Sequence, residues 1–170
     1  MKLYLVRHAA AIERGTAISE ERRYLTSEGR AFFRRTAKTM LKRGMDPSLI
    51  LASPLLRAVQ TAEILAETLE FVGPVLVRDE LAPGFDVVSL SKLLAEYRGA
   101  GELVLVGHEP DFSTIAASLL SCRADFSLKK GAVIKLKIPG PDFFASVEFK
   151  WLAVGKKLMY SLDELCAERS

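Results

Sequence analysis

Short apolar runs that alternate with amphipathic helical patterns are the feature that most constrains how this chain can fold. The runs are Lys2–Val6, Leu49–Ala52, Val75–Val77 and Leu103–Val106, and helical periodicity follows them along the chain. Strands that alternate with helices favour a parallel sheet covered by helices on its faces. An all-apolar run such as Leu103–Val106 is typical of a strand buried on both faces. The pattern therefore predicts an α/β fold of three layers, α/β/α, around a mainly parallel sheet.

Capping residues mark where two of the helices begin. Thr26 and Ser27 precede an amphipathic stretch and are good N-caps, and Gly44 is placed to end that helix. Ser53 is predicted to cap the helix after the second strand. Pro54 would then occupy the first position of that helix, where a missing N–H costs nothing.

The C-terminal part of the chain has a different pattern. Val133–Ile138 and Ala145–Trp151 alternate apolar and polar residues around Pro139-Gly140-Pro141. This alternation predicts an antiparallel hairpin at the edge of the sheet. Residues 161–170 are predicted to form a short helix. Because no internal repeat or low-complexity linker divides the 170 residues, we expect a single domain over residues 1–170.

Composition and charge argue against several classes of function. The net charge is only +3, and the basic residues form short doublets among acidic ones, so no nucleic-acid partner is expected. The apolar runs are far too short to cross a bilayer, so no membrane association is expected. Cys122 and Cys166 belong to no metal-binding motif, which argues against a zinc site and favours free thiols in a cytoplasmic protein.

Polar residues that can handle phosphate follow three of the predicted strands. Arg7 and His8 follow the first, Ser53 and Arg57 follow the second, and His108 follows the strand Leu103–Val106. The carboxyl ends of parallel strands form the ligand crevice of an open sheet, so these distant residues are expected to meet there. The chain has only two histidines, and both lie at such strand ends.

Histidine and arginine in one cluster favour phosphoryl transfer. A guanidinium donates a planar fork of hydrogen bonds to phosphate oxygens, and a neutral imidazole can act as a nucleophile. Such a site would need no metal and no cofactor, because cations and positioning stabilise a phosphoryl group in transfer. Thr61 lies one helical turn after Arg57 on the same face and is placed to support that arginine.

Three motifs resemble the signatures of the histidine phosphatase superfamily, which has a phosphoglycerate-mutase-like fold. They are Leu5-Val6-Arg7-His8-Ala9, Ala52 to Glu63 with Arg57 at its centre, and Val106-Gly107-His108-Glu109-Pro110. The resemblance implies that His8 is the nucleophile and becomes phosphohistidine. It also implies that Arg7, Arg57 and His108 bind the transferred phosphoryl group. Ala9 stands where the family most often has glycine, and its small side chain should still let the pocket close around phosphate.

The compact length resembles the short SixA branch, whose members are phosphohistidine phosphatases. The segments Leu25 to Arg30 and Asp79 to Pro83 resemble that branch as well. Larger relatives place an acidic proton donor on the loop after the third strand, where this chain has Ala82-Pro83. An ester leaving group gains much from a general acid, whereas imidazole leaves a phosphoramidate more readily. The sequence therefore favours phosphohistidine of phosphorelay proteins as the substrate, with a role in signal transduction and a histidine-phosphotransfer domain as a candidate partner.

Two alternatives remain open from the sequence. The first is a phosphatase of small phosphomonoesters, a small-molecule substrate class for which Glu80, Asp86 or Glu109 would serve as the acid. The second is a phosphate- or phosphoprotein-binding module without catalysis.

Basic residues in the loop after His8 add a question about partners. Arg14, Arg22 and Arg23 lie in this loop and are placed to contact an acidic protein. The alternative is that they are ordinary solvent-facing charges.

Overall fold

The computed structural model describes residues 1–15, 17–121, 126–140 and 146–161. Strands and helices alternate along the first two thirds of the chain, and the elements described after them are strands. Two short 3₁₀ helices, Glu20–Arg22 and Asp79–Leu81, lie in loops. The longer elements, in chain order, are β1 (Lys2–Arg7), α1 (Ser27–Lys42), β2 (Leu49–Ala52), α2 (Leu56–Thr68), β3 (Val75–Val77), α3 (Val87–Glu96), β4 (Glu102–Gly107), α4 (Asp111–Leu119), β5 (Val133–Lys137), β6 (Glu148–Val154) and β7 (Lys157–Met159).

The strands of the described residues form one sheet in the order β3-β2-β4-β1-β5-β6-β7. The first four strands in this order are parallel to one another, and β5, β6 and β7 are antiparallel to their neighbours. This arrangement confirms the predicted α/β fold with an antiparallel edge. The edge has one more strand than the predicted hairpin, because the three-residue β7 follows a tight turn at Gly155 (φ 62°) and is too short to give a periodic signal.

Helices cover both faces of the sheet, which gives the three predicted layers. Helices α1 and α2 pack on one face with buried residues such as Phe33 and Leu65. Helices α3 and α4 pack on the other face with residues such as Leu90 and Ile115. All six residues of β4 are buried, as expected for the central strand of a sheet covered on both sides.

Helix α1 begins close to the segment that follows His8. Thr26 caps the helix by accepting the N–H of Gly29 at 2.9 Å, as predicted. A Cβ atom at position 29 would lie 2.1 Å from the carbonyl oxygen of Ala10, so only glycine allows this approach. The loop between β1 and α1 is closed at its base by an antiparallel bridge between Ala11 and Leu25.

The predicted start of α2 is wrong. The helix begins at Leu56 with Leu55 as its N-cap residue, and Ser53 does not cap it. Ser53 lies three residues before Leu56, too early to be the cap, and its buried hydroxyl hydrogen-bonds to His108.

Two sequence predictions fall partly outside the described residues. These are the rest of the hairpin turn, residues 141–145, and the C-terminal helix, of which residues 162–170 are not described. Within the described ranges, no helix is long and apolar enough to cross a membrane.

Candidate active site

The two histidines meet at the carboxyl edge of the sheet because their strands are neighbours. Strand β1 pairs in parallel with β4, and Arg7 lies opposite Gly107 in the register. His8 and His108 are the next residues on each strand, and their ring centroids are 5.3 Å apart. Both side chains are buried. The structure thus brings together the two imidazoles that the sequence places about a hundred residues apart.

Both nitrogens of His8 have defined partners. Nδ1 lies 2.7 Å from the carbonyl oxygen of Ala9, which can only accept a hydrogen bond, so Nδ1 carries the proton. Burial is the main cause that lowers the pKa of His8 to about 3; the Ala9 contact opposes this shift, and nearby positive charges add to it. The imidazole is therefore neutral at pH 7, and its lone pair is on Nε2.

Arg57 extends from the first turn of α2 towards this lone pair. Its Nε–H donates to Nε2 of His8 at 3.2 Å. Nη1 donates to the backbone oxygen of Glu20 at 2.8 Å, and Nη2 lies 2.9 Å from the Glu20 carboxylate. The side chain of Arg57 is only 3% exposed, so the guanidinium is enclosed among these partners.

His108 is held by the residue that follows β2. Its Nε2 lies 2.7 Å from the hydroxyl oxygen of Ser53, and this oxygen also accepts the N–H of Leu55 at 3.3 Å. The Ser53 hydroxyl can donate its proton to Nε2, and in that tautomer Nδ1 of His108 carries the N–H. Burial lowers the pKa of His108 to about 4, so this imidazole is also neutral at pH 7.

Two buried nitrogens of the pocket have no hydrogen-bond partner in the part of the chain that is described. They are Nε of Arg7 and Nδ1 of His108. Arg7 is held at its other end, where Nη1 donates to the backbone oxygen of Leu128. Because leaving a buried polar group unpaired costs about 1–3 kcal/mol, the two nitrogens favour a ligand that supplies acceptor oxygens.

Thr61 links α2 to the loop after β1. Its hydroxyl donates to the backbone oxygen of Arg57 at 2.7 Å and accepts the N–H of Ala9 at 3.0 Å. The contact to Arg57 is with its backbone and not with its guanidinium. Thr61 thereby holds the backbone on both sides of the Arg57–His8 contact.

A cavity of about 480 Å³ contains these groups. Cationic and imidazole side chains dominate its wall, with two carboxylates, Glu13 and Glu109. No group of three or more His, Cys, Asp or Glu side chains in the described ranges is arranged to hold a metal ion. The lining residues are Arg7, His8, Ala11, Glu13, Arg14, Arg23, Arg57, Pro83, His108, Glu109 and Lys130.

The three candidate acids have different environments. Glu80 is absent from the cavity wall formed by the described residues, and its carboxylate pairs with Arg78 at 3.0 Å, which lowers its pKa. Asp86 caps α3 by accepting the N–H of Ser89, and this bond lowers its pKa. Glu109 lines the cavity, and burial raises its pKa despite hydrogen bonds from Ser113. Of the three, only Glu109 combines the position and the pKa direction of a proton donor.

The basic loop after His8 is divided between the interior and the surface. Arg23 is 9% exposed and donates to the backbone oxygen of Ile12 and to the Glu20 carboxylate. Its guanidinium is therefore committed within the protein. The side chain of Arg14 is 81% exposed, and Arg22 is also exposed, so both can reach a partner.

Sequence reasoning placed Ser53 among the strand-end residues of the site but assigned its side chain to helix capping, and it missed Glu20. Glu20 had no signal, because its contacts with Arg57 depend on how the loop between β1 and α1 folds over α2. Neutral imidazoles among buried arginines at the carboxyl edge of an α/β sheet are the arrangement expected of a phosphatase.

Comparison with known proteins agrees with this class. A family model for the histidine phosphatase superfamily (branch 1) matches residues 3–82. An uncharacterized protein from Picosynechococcus sp. is 35% identical over 142 residues, which cover 81% of this chain and 85% of that protein. The solved structure of the protein histidine phosphatase SixA complexed with tungstate has a TM-score of 0.80 and 25% identity, over 91% of this chain and 97% of that one.

A mycobacterial glucosyl-3-phosphoglycerate phosphatase shares the fold, with a TM-score of 0.65 and 21% identity, over 91% of this chain and 98% of that one. This chain belongs to the histidine phosphatase superfamily, and within it the chain is SixA-like. The likeness supports phosphatase activity, and the superfamily includes enzymes for different phosphorylated substrates.

Proposed function

We propose that this protein is a phosphohistidine phosphatase that transfers the phosphoryl group to Nε2 of His8 and then to water. The observation that carries the proposal is the state of His8. Its imidazole is neutral, its proton is fixed on Nδ1, and its lone pair lies on Nε2 beside Arg57. A phosphoryl-accepting nitrogen needs this combination of tautomer, charge and neighbour.

The unpaired donors of the pocket complete the site. Arg7 Nε and His108 Nδ1 would donate to oxygens of the phosphoryl group, and the Arg57 Nε–H would donate to a third oxygen in place of His8 Nε2. This exchange frees the lone pair of His8 at the moment when phosphorus arrives. Because these donors already point into the pocket before the substrate reacts, they stabilise the charge on the equatorial oxygens without a reorganisation of solvent.

The reaction then proceeds in two displacements. In the first, the lone pair of His8 Nε2 forms a bond to phosphorus as the P–N bond of the substrate breaks. The electron pair of that bond goes to the departing imidazole nitrogen, which takes a proton from solvent. In the second, a water oxygen attacks the phosphorus of phospho-His8, the water proton is released, and inorganic phosphate leaves with His8 neutral again.

The cavity wall supports an N–P substrate over an alkyl ester. Pro83 occupies the part of the wall that comes from the loop after β3, where larger relatives are expected to carry an acid. Imidazole needs less help to leave than an alkoxide does. The match to the protein histidine phosphatase SixA also supports this substrate class. A cytoplasmic location and a histidine-phosphotransfer domain as partner are part of the same proposal.

The proposal is tested by turnover of a histidine-phosphorylated phosphotransfer domain beside a panel of sugar and nucleotide monophosphates. We expect kcat/KM for the phosphohistidine protein to exceed that for every alkyl phosphate. A clear preference for an unactivated alkyl phosphate would contradict the proposal. If the protein binds phosphate tightly but hydrolyses none of these substrates, it is a binding module instead.

Charge reversal in the loop between β1 and α1 should separate a protein substrate from a small one. We expect Arg22→Glu to lower kcat/KM for the phosphotransfer domain roughly fivefold, about 1 kcal/mol, and to leave a small phosphoramidate unaffected. The reason is that Arg22 is exposed in the loop between β1 and α1, which also carries the cavity residues Arg14 and Arg23, but Arg22 itself does not line the cavity. Arg98→Glu, an exposed arginine after α3, is the matched control. Equal losses on both substrates would reject docking through this loop.

The position of Glu109 in the cavity wall and its raised pKa support a second candidate function, in which Glu109 is the acid for hydrolysis of phosphomonoesters. Ser113 donates to both oxygens of its carboxylate, at 2.6 Å from the hydroxyl and 3.2 Å from the backbone N–H. A Glu109→Gln substitution retains an oxygen acceptor for Ser113 and removes the acidic proton. The substitution therefore tests the chemistry with little change in the support of α4.

The test of this candidate is the dependence on the leaving group. If Glu109 is the acid, Glu109→Gln should slow an alkyl phosphate by about 10²- to 10⁴-fold and spare p-nitrophenyl phosphate, whose leaving group needs no proton. Glu80→Gln should leave both rates unchanged. Equal rates of the wild type and Glu109→Gln on the alkyl phosphate would exclude Glu109 as the acid and leave the phosphohistidine proposal in place.

A further inference from the structure

The Glu20 carboxylate contacts three arginines beside the phosphate pocket. Arg57 Nη2 lies 2.9 Å from Oε1, and Arg23 Nη1 lies 2.8 Å from Oε1 and 3.0 Å from Oε2. Arg14 Nε lies 3.4 Å from Oε2. Arg57 and Arg23 are buried, whereas the Glu20 side chain is 38% exposed, so these two pairs are partly shielded from solvent.

These contacts form a continuous chain of polar groups that ends at the nucleophile. Ile12 accepts from Arg23, Arg23 holds Glu20, Glu20 holds Arg57, and Arg57 donates to His8. Glu20 contacts Arg57 twice, through its carboxylate on Nη2 and through its backbone oxygen on Nη1. The Nη end of the guanidinium is therefore fixed, and its Nε–H is directed at His8 Nε2.

The segment that carries Glu20 is not anchored by buried side chains of its own. Glu20, Glu21 and Arg22 form a 3₁₀ helix in which no residue is buried. The pairs with Arg57 and Arg23 therefore replace apolar packing as the anchor of this segment on α2. Desolvation raises the pKa of Glu20, but the three arginines outweigh it and lower the pKa overall, so the carboxylate is charged.

We propose that Glu20 is a positioning residue for phosphoryl transfer: its carboxylate fixes the guanidinium of Arg57 so that Nε–H serves first His8 and then a phosphoryl oxygen. The inference rests on the proposed function for the transfer step. The geometry of Glu20, Arg57 and His8 does not depend on which substrate is used. Glu20 also offsets the charge of a buried arginine, which limits how tightly the pocket holds the phosphate product.

The proposal predicts that kcat and anion binding respond differently to Glu20→Ala. We expect kcat for p-nitrophenyl phosphate to fall about 10- to 100-fold, because a small displacement of a transition-state donor costs rates of this order. The tungstate Kd should stay equal or decrease, because removing a carboxylate beside Arg57 makes the pocket more positive. Glu20→Gln retains an acceptor oxygen without the charge and should fall between Glu20→Ala and the wild type in kcat.

A double-substitution cycle with Arg57 tests whether Glu20 acts through that residue. We expect Glu20→Ala combined with Arg57→Ala to be no slower than Arg57→Ala alone, because residues that act as a unit are not additive. Glu21→Ala, on the neighbouring exposed residue of the same 3₁₀ helix, should retain the wild-type kcat. Additive losses, a tungstate Kd that weakens in step with kcat, or a comparable loss in Glu21→Ala would overturn the proposal.

A measurement that needs no turnover separates this inference from the proposed function. The chain has two histidines, so the imidazole nitrogens of His8 can be resolved by ¹⁵N NMR. The Nε2 signal of His8 should move in Glu20→Ala towards its position in Arg57→Ala, with no further change in the double variant. If the wild type does not turn over but the signals behave in this way, the proposed function fails and the positioning role stands. If the wild type turns over and the His8 signal is unmoved, the positioning role fails.

Discussion

Replacing His8 with alanine is expected to lower phosphatase turnover by at least about 10⁴-fold, because the nucleophile is removed and Nε2 of the other imidazole, His108, is bound to Ser53. The wild type should also become covalently labelled by a ³²P-phosphohistidine protein, and His8→Ala should not. The bound label should be lost in acid and retained in alkali, as expected for a phosphoramidate.

His108 provides the control for this experiment. His108→Asn leaves Nε2 of His8 in place, so it should slow turnover but still accept the label. Full turnover in His8→Ala would contradict the transfer mechanism. Phosphate binding without any release of phosphate by the wild type would instead support the binding-module alternative.

Replacing Arg57 with alanine is expected to have the second largest effect, a loss of about 10³-fold in kcat/KM. The guanidinium is buried at the pocket, donates to His8, and has no substitute among the described residues that contact Nε2 of His8. Steady-state kinetics with p-nitrophenyl phosphate measures this effect without a protein partner.

Arg57→Lys distinguishes charge from geometry. Lysine retains the positive charge but lacks the planar fork, so it cannot contact Glu20 and the reacting atoms in the same manner. We expect Arg57→Lys to recover less than about a tenth of the lost activity, with a melting temperature close to that of the wild type. Recovery of most of the activity would show that charge alone is required, and it would weaken the argument for a directed Nε–H.

The sequence predicted the fold and the position of the pocket residues from strand ends. Buried apolar strands give a strong local signal, and Arg7, His8 and His108 follow such strands directly. Because parallel strands end at one edge, their meeting could be expected before any contact was known. The recognition of the superfamily from the three motifs is confirmed by the family match and by the likeness to SixA.

What the sequence could not supply are contacts that depend on tertiary structure. Ser53 has the local signature of a helix cap, and only the approach of β4 shows that its hydroxyl serves His108 instead. Glu20 lies in an irregular loop without periodicity, so nothing in the chain indicates its contact with Arg57. Glu80 lies in the loop after β3, where a proton donor was expected, but Arg78 binds its carboxylate at the surface.

The register between β1 and β4 has a consequence for how this kind of enzyme can diversify. Backbone hydrogen bonds place Arg7 opposite Gly107, and the following imidazoles are set by that ladder and not by the chain between them. A longer loop after β3 would reshape the wall now formed by Pro83 without moving either histidine. Evolution could therefore exchange one leaving group for another by lengthening a surface loop, while the atoms that handle phosphorus remain untouched.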